Sequence, residues 1–250
     1  MSEKTLYALD FDGVICDSAQ ETGLSAWLAA QEIWPSLPET IPEHVLSGFK
    51  QVRPALETGF EAILICRRLY DGQTTNSLLN NFSEQIDIAR QQSGLTDEAL
   101  KSIFGRVRDN WINEDFAGWI ANNPLYPGLA ALLLQIPTPQ LYIITTKQER
   151  FVKAILAANG IELSADQIFG LERKQSKTAI LTTLSQDYPE ICFVEDRLPT
   201  LIDVSAEPAL TAVSLWLADW GYNTTQDKQT AKSVARLKSI SLETIDRLLQ

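Results

Sequence analysis

Residues 5–18 read Thr5-Leu-Tyr-Ala-Leu-Asp10-Phe-Asp12-Gly-Val-Ile-Cys-Asp-Ser18. An apolar run, Leu6 to Leu9, stops at Asp10, and a second carboxylate and a glycine follow at Asp12 and Gly13. A short apolar run of this kind is expected to be a buried strand. Asp10 then stands at its carboxyl end, where open α/β sheets bind ligands. Two carboxylates one residue apart are costly to bury without a counter-charge. A divalent cation is the natural partner, and hard oxygen ligands favour Mg2+. The bland alternative is a solvated Asp-x-Asp-Gly turn, so the rest of the chain must supply the remainder of a site.

Outward from that stretch, the 250 residues are enough for one large domain or two. Lys plus Arg number 21 against 32 Asp plus Glu, a net charge of −11. That balance argues against nucleic acid and against an anionic membrane surface as partners. An anionic small molecule would need a local positive site or a metal. The three cysteines are scattered, which excludes a disulfide framework and fits a reducing compartment. With His44 as the single histidine, a Cys/His zinc site is not expected. No basic segment followed by an apolar stretch opens the chain, and no apolar run approaches the ~20 residues that span a bilayer. A cytoplasmic location is the expectation.

Residues 18–124 read as nearly all helix. Helices are expected over 18–34, through much of 45–69, over 77–92, from Thr96-Asp97-Glu98 onward, and near 116–120. Prolines 35, 38 and 42, Asp71-Gly72 and Gly94 punctuate them. From Leu125 the pattern alternates. Strands are expected at Leu141–Ile144, Gln167–Gly170, Ile191–Val194 and Ala209–Leu217, with helices between them and a last helix around Leu242–Leu249. Alternation of this kind predicts parallel βαβ units. The expected fold class is α/β: a Rossmann-like parallel sheet formed by 1–17 and 125–250, with an inserted all-helical domain at 18–124.

Four strand ends carry polar groups in a consistent way. The first carries Asp10 and Asp12, the second Thr145, the region after the third Lys174 and Lys177, and the fourth Glu195 and Asp196. Neighbouring parallel strands would gather these on one edge. Such a set could hold a cation and a phosphate together, with one carboxylate attacking phosphorus and a second moving the proton.

These residues resemble the haloacid dehalogenase-like hydrolase superfamily, in particular its phosphoglycolate-phosphatase-like group with a helical cap. Asp-Phe-Asp-Gly-Val-Ile-Cys-Asp-Ser at 10–18 looks like the first motif, Ile-Ile-Thr-Thr-Lys at 143–147 the second, and Phe-Val-Glu-Asp-Arg at 193–197 the fourth. Tyr-Pro-Gly at 126–128 is similar to the turn that re-enters the core after the cap. The resemblance implies a Mg2+-dependent phosphatase acting on a small phosphorylated metabolite. By it, Asp10 is the nucleophile that becomes an aspartyl-phosphate and Asp12 the general acid/base. Thr145 and Thr146 contact the phosphoryl group, and Lys177 orders it together with Asp10. The cation takes the Asp10 carboxylate, the Asp12 main-chain carbonyl and Asp196, and Glu195 acts through a water.

Three departures stand out. The third motif lacks its usual Lys-Pro pair, leaving Lys174 and Lys177 as candidates. Lys177 is preferred because Thr-Ala-Ile-Leu follows it, as when that lysine opens a helix. Position 200 is Thr where a further acid often stands, with Asp203 off register, and the inserted segment is longer than the common cap. Competing readings are a phosphomutase of the same superfamily and an idle small-ligand-binding protein. A dehalogenase would need neither Asp12 nor Mg2+, and a phosphonate hydrolase would need a cap lysine that Lys50 does not convincingly supply. Arg53, Arg67 and Arg68 are expected on a solvated helix face, His44 in a loop, and Trp27, Trp34, Trp111 and Trp119 in the packing of the helical segment. Trp216 and Trp220, in or after the fifth strand, are expected to be packing residues, with bordering of the site by Trp220-Gly221-Tyr222 as the alternative.

Overall fold

A computed structural model describes residues 5–249, which divide into two compact units, one of residues 5–17 with 125–249 and one of residues 18–124. The chain opens with β1 (Leu6–Leu9), buried at every position. It then leaves for the second unit.

That unit is all helix: α1 (Ala19–Ile33), α2 (Glu43–Val52), α3 (Glu61–Tyr70), α4 (Thr75–Asn80), α5 (Phe82–Ser93), α6 (Asp97–Glu114) and α7 (Phe116–Ala121). The ends are set by local chemistry. Thr74, Thr96 and Asp115 cap α4, α6 and α7 through their side-chain oxygens, and Gly94 closes α5 in the left-handed conformation. The apolar stripes meet in one core around Trp27, Phe49, Ile63, Leu64 and Leu100. Two expectations are corrected here. The region 77–92 is not one helix: Asn81 departs from helical geometry and separates α4 from α5. His44 lies in the first turn of α2 rather than in a loop.

Within the same unit the arginines also differ from expectation. Arg53 and Arg68 are buried, and Arg68 donates twice to Gln85 Oε1, at 3.1 and 2.8 Å. Arg67 pairs with Asp71 at 2.9 Å and covers the Trp34 ring. A guanidinium has a long apolar stem and a planar face, so it packs where a lysine would be solvated. Glu21 and Arg108 form a buried bidentate pair at 2.7 Å on both arms, to which Ser25 and the Trp119 indole add hydrogen bonds.

The first unit resumes with α8 (Leu129–Leu133), β2 (Leu141–Ile144), α9 (Glu149–Ala158), β3 (Ile168–Phe169), α10 (Lys177–Leu184), β4 (Ile191–Glu195), α11 (Leu198–Ala206), β5 (Ser214–Ala218), α12 (Thr225–Ser233) and β6 (Leu237–Ile240). All six strands are parallel, in the order β3-β2-β1-β4-β5-β6. The apolar residues of β1, β4 and β5 pack with α10 and α11 in a core that includes Leu6, Ala8, Leu181, Phe193, Leu201 and Leu215. The fifth strand begins later than expected, because Pro208–Leu210 forms a 3-10 turn. Where the last helix was expected, over Leu242–Leu249, the chain forms only a 3-10 turn at Ile245–Arg247, and an unexpected strand, β6, precedes it. Lys238 and Ser239 are exposed on this edge strand, which hides the period-two pattern. Among the described residues no helix is long and apolar enough to cross a membrane.

The order places β1 between β2 and β4. After β1 the sheet grows outward to β3, then returns to β4 on the other side of β1. This is the switch point at which open α/β sheets bind ligands, outside the strands' carboxyl ends.

Candidate active site

Asp10 follows β1 directly, and its amide donates to Val194 O of β4 at 2.9 Å. The strand pairing Leu9↔Val194 therefore delivers Asp10 beside Glu195. Lys177, the first residue of α10, reaches both: its Nζ lies 2.6 Å from Asp10 Oδ1 and 2.7 Å from Glu195 Oε2. Glu195 is fully buried, and its other oxygen, Oε1, accepts the amides of Asp196 and Arg197, each at 3.0 Å. Both of its oxygens are engaged by donors of the protein. Its carboxylate anchors the lysine.

The electrostatics follow from burial. Desolvation disfavours the Asp10 anion, Lys177 partly offsets this, and the pKa is pushed up to about 6. Lys177 is held above its ordinary value despite its own desolvation, because it faces two carboxylates. Glu195 lies below its ordinary value: burial opposes ionisation, but Lys177 and the backbone amides outweigh it.

Asp196 is buried at the end of β4, and its Oδ2 accepts the Tyr222 amide at 2.6 Å. Two glycines make that approach possible. A Cβ at Gly13 would overlap Asp196 Oδ2 and the Tyr222 ring, and Gly13 has φ +89°. A Cβ at Gly221 would overlap Asp196 and the Gly13 carbonyl. Trp220 was expected to pack; the stretch Trp220-Gly221-Tyr222 instead contacts the residues around Asp10 and Asp196. The Trp220 indole donates to Val14 O at 3.1 Å, and the Tyr222 hydroxyl donates to Asp17 Oδ1 at 2.8 Å.

Thr145 ends β2, next to β1. Its hydroxyl accepts the Lys147 amide at 3.1 Å, which leaves its O–H to donate elsewhere. Thr146 beside it is exposed. Asp12 is half-buried, and Lys147 Nζ lies 3.2 Å from its Oδ1. Lys174 is exposed in a left-handed turn, so among the two candidates it is Lys177 that the fold brings to Asp10.

Lys147 is the site residue that the sequence reading passed over. A signal was there: Asp10-x-Asp12 and Thr145-x-Lys147 are matching pairs, two residues apart, directly after apolar runs on adjacent strands.

Among the described residues, Asp10, Glu195 and Asp196 offer carboxylate oxygens within 4.8 Å of one another. With Asp12 there are four carboxyl groups beside the two ammonium groups of Lys147 and Lys177, so acidic groups outnumber these cations. A hard divalent cation fits that balance and the all-oxygen donor set. Asp10, Glu195 and Asp196 are the side chains that could hold it, Glu195 with both oxygens also accepting from Lys177 and the amides of Asp196 and Arg197.

No protein-family model matches the sequence, and no curated protein matches it significantly. Solved structures do. A predicted phosphoglycolate phosphatase from Haemophilus somnus is 20% identical with a TM-score of 0.61, over 100% of both chains. A haloacid dehalogenase-like family hydrolase from Streptococcus pneumoniae is 17% identical with a TM-score of 0.56, over 99% of this chain and 98% of its own. Protein tyrosine kinase A from Mycobacterium tuberculosis is 19% identical with a TM-score of 0.56, over 100% and 99%. Spanning a predicted phosphatase and a kinase, these likenesses speak to architecture rather than to activity. The chain has the fold of the haloacid dehalogenase-like hydrolases.

Proposed function

We propose that the protein is a Mg2+-dependent phosphatase of a small phosphate monoester, working through an aspartyl-phosphate on Asp10. The observation that carries this reading is the contact of Lys177 with both Asp10 and Glu195. It sets a buried carboxylate at a sheet switch point against a cation, with Asp196 nearby.

Asp10 attacks phosphorus, forming the phosphoryl–Asp10 bond as the bond to the leaving oxygen breaks. Asp12 gives its proton to that oxygen, and the alcohol departs. Asp12 then takes a proton from water as the water oxygen attacks phosphorus, which frees Asp10 and inorganic phosphate. Lys177 and the Thr145 hydroxyl serve the equatorial oxygens, with Thr146 beside them. Mg2+, held by Asp10, Asp196 and the Asp12 carbonyl, would supply charge neutralisation at phosphorus.

The test is phosphate release from a panel of phosphorylated metabolites with Mg2+, alongside Asp10→Asn. Turnover abolished by Asp10→Asn supports the reading. Turnover that survives it, or ligand binding without any turnover, contradicts it.

A further inference from the structure

Lys147 is buried deeply for a lysine, with 1% of its side chain exposed, whereas the Asp12 side chain that it touches is 17% exposed. The ammonium therefore stands behind the carboxylate, and the carboxylate faces outward. The main chain of Lys147 is fixed on both sides. Its amide donates to Thr145 Oγ1 at 3.1 Å, and its carbonyl accepts the Leu171 amide at 3.1 Å. Gly170 abuts that same carbonyl so closely that a Cβ would come within 2.7 Å of it. A lysine held in this way does not sweep through solvent. Asp12 is one of the groups that answer its buried charge.

We propose that Lys147 is a positioning residue for Asp12: it holds Asp12 Oδ1 so that the other carboxylate oxygen meets the leaving group. This rests on the phosphatase reading given above. In the step concerned, the bond from phosphorus to the ester oxygen breaks, the electron pair stays on that oxygen, and the Asp12 proton passes to it. The carboxylate so formed stays oriented by Lys147 and takes the proton of the incoming water. Lys177 has a different task, because its two contacts are Asp10 and Glu195.

The role is read from leaving-group dependence, which a merely structural lysine would not alter. p-Nitrophenyl phosphate and phenyl phosphate have nearly the same shape, but phenol is the poorer leaving group and needs the proton more. With Mg2+ present, Lys147→Met lowers kcat/KM for phenyl phosphate at least about tenfold more than for p-nitrophenyl phosphate, within the range of general-acid contributions. Asp12→Asn gives the same skew, and adding Lys147→Met to it gives none beyond that. Lys147→Gln, which keeps a donor for Asp12 without the charge, gives an intermediate skew and carries the test if Lys147→Met does not fold. Equal losses on the two esters, in a protein whose wild-type turnover depends on Asp10, overturn the role of Lys147 and leave the phosphatase reading standing. A wild-type protein that hydrolyses neither ester overturns both.

Discussion

Lys177 Nζ sits 2.6 Å from Asp10 Oδ1, bridging 167 positions of sequence to put an ammonium against the carboxylate that ends β1. The same atom holds Glu195, so one cation serves two buried anions. Removing it leaves both unpaired in a desolvated place. Lys177→Met is therefore expected to abolish turnover and to cost about 3–5 kcal/mol of stability at pH 8. The cost shrinks toward pH 5, where Asp10 and Glu195, each with its pKa raised by loss of the lysine, take up protons. Urea unfolding of the variant and the wild type at the two pH values checks this.

Asp10 has a folded-state pKa pushed up to about 6, above its unfolded value, chiefly by burial. For an acid this sign means that the fold disfavours the anion. The contribution of Asp10 to stability is most favourable below the unfolded value and is lost as pH rises to about 6. A cation needs the anion, so Mg2+ binding should release close to one proton below pH 6 and almost none at pH 8. Apparent affinity should fall about tenfold for each pH unit below that point. Calorimetric titration in two buffers of different ionisation heat measures both quantities.

Gly13 and Gly221 leave the space in which Asp196 meets the Tyr222 amide. Gly13→Ala adds strain at φ +89° and a clash with the carboxylate. It should cost roughly 1–3 kcal/mol and raise the Mg2+ concentration needed for half-maximal activity. Gly221→Ala, which has no positive φ to strain, should act through the clash alone and shift the Mg2+ dependence in the same direction. Mg2+ titrations of activity, paired with thermal unfolding, separate the two effects.

In the helical unit, Glu21 and Arg108 are buried and bonded through both arms. Arg108→Met should destabilise that unit by about 3–5 kcal/mol, because it strands a carboxylate that Ser25 and Trp119 alone cannot neutralise. The double change Glu21→Met with Arg108→Met should cost less than the single one. Denaturant unfolding of the three variants gives the comparison.

The architecture of the sheet was legible where burial leaves a continuous apolar run. Leu6–Leu9, Leu141–Ile144 and Ile191–Val194 all became strands, and each ended at the polar residue that defines the site. Legibility failed where tertiary context overrides pattern. The edge strand Leu237–Ile240 exposes Lys238 and Ser239, and the break at Asn81 lies inside a run that keeps helical periodicity. At the site, single residues could be named from motif position, but partnerships could not. That Glu195 serves Lys177, and that Lys147 serves Asp12, depends on side chains meeting across strands far apart in sequence. Tyr222 contributes to Asp196 through its amide, a group that every residue but proline carries and that no motif can mark.

The proposed phosphatase reaction is covalent, with the phosphoryl group carried on Asp10. It is tested most directly by acid-quenching the enzyme during turnover of p-nitrophenyl phosphate with Mg2+ and mapping the modified peptide by mass spectrometry. One phosphoryl group is expected on the peptide that carries Asp10, absent from Asp10→Asn. A phosphoryl group on another residue, or steady turnover by Asp10→Asn, would contradict it.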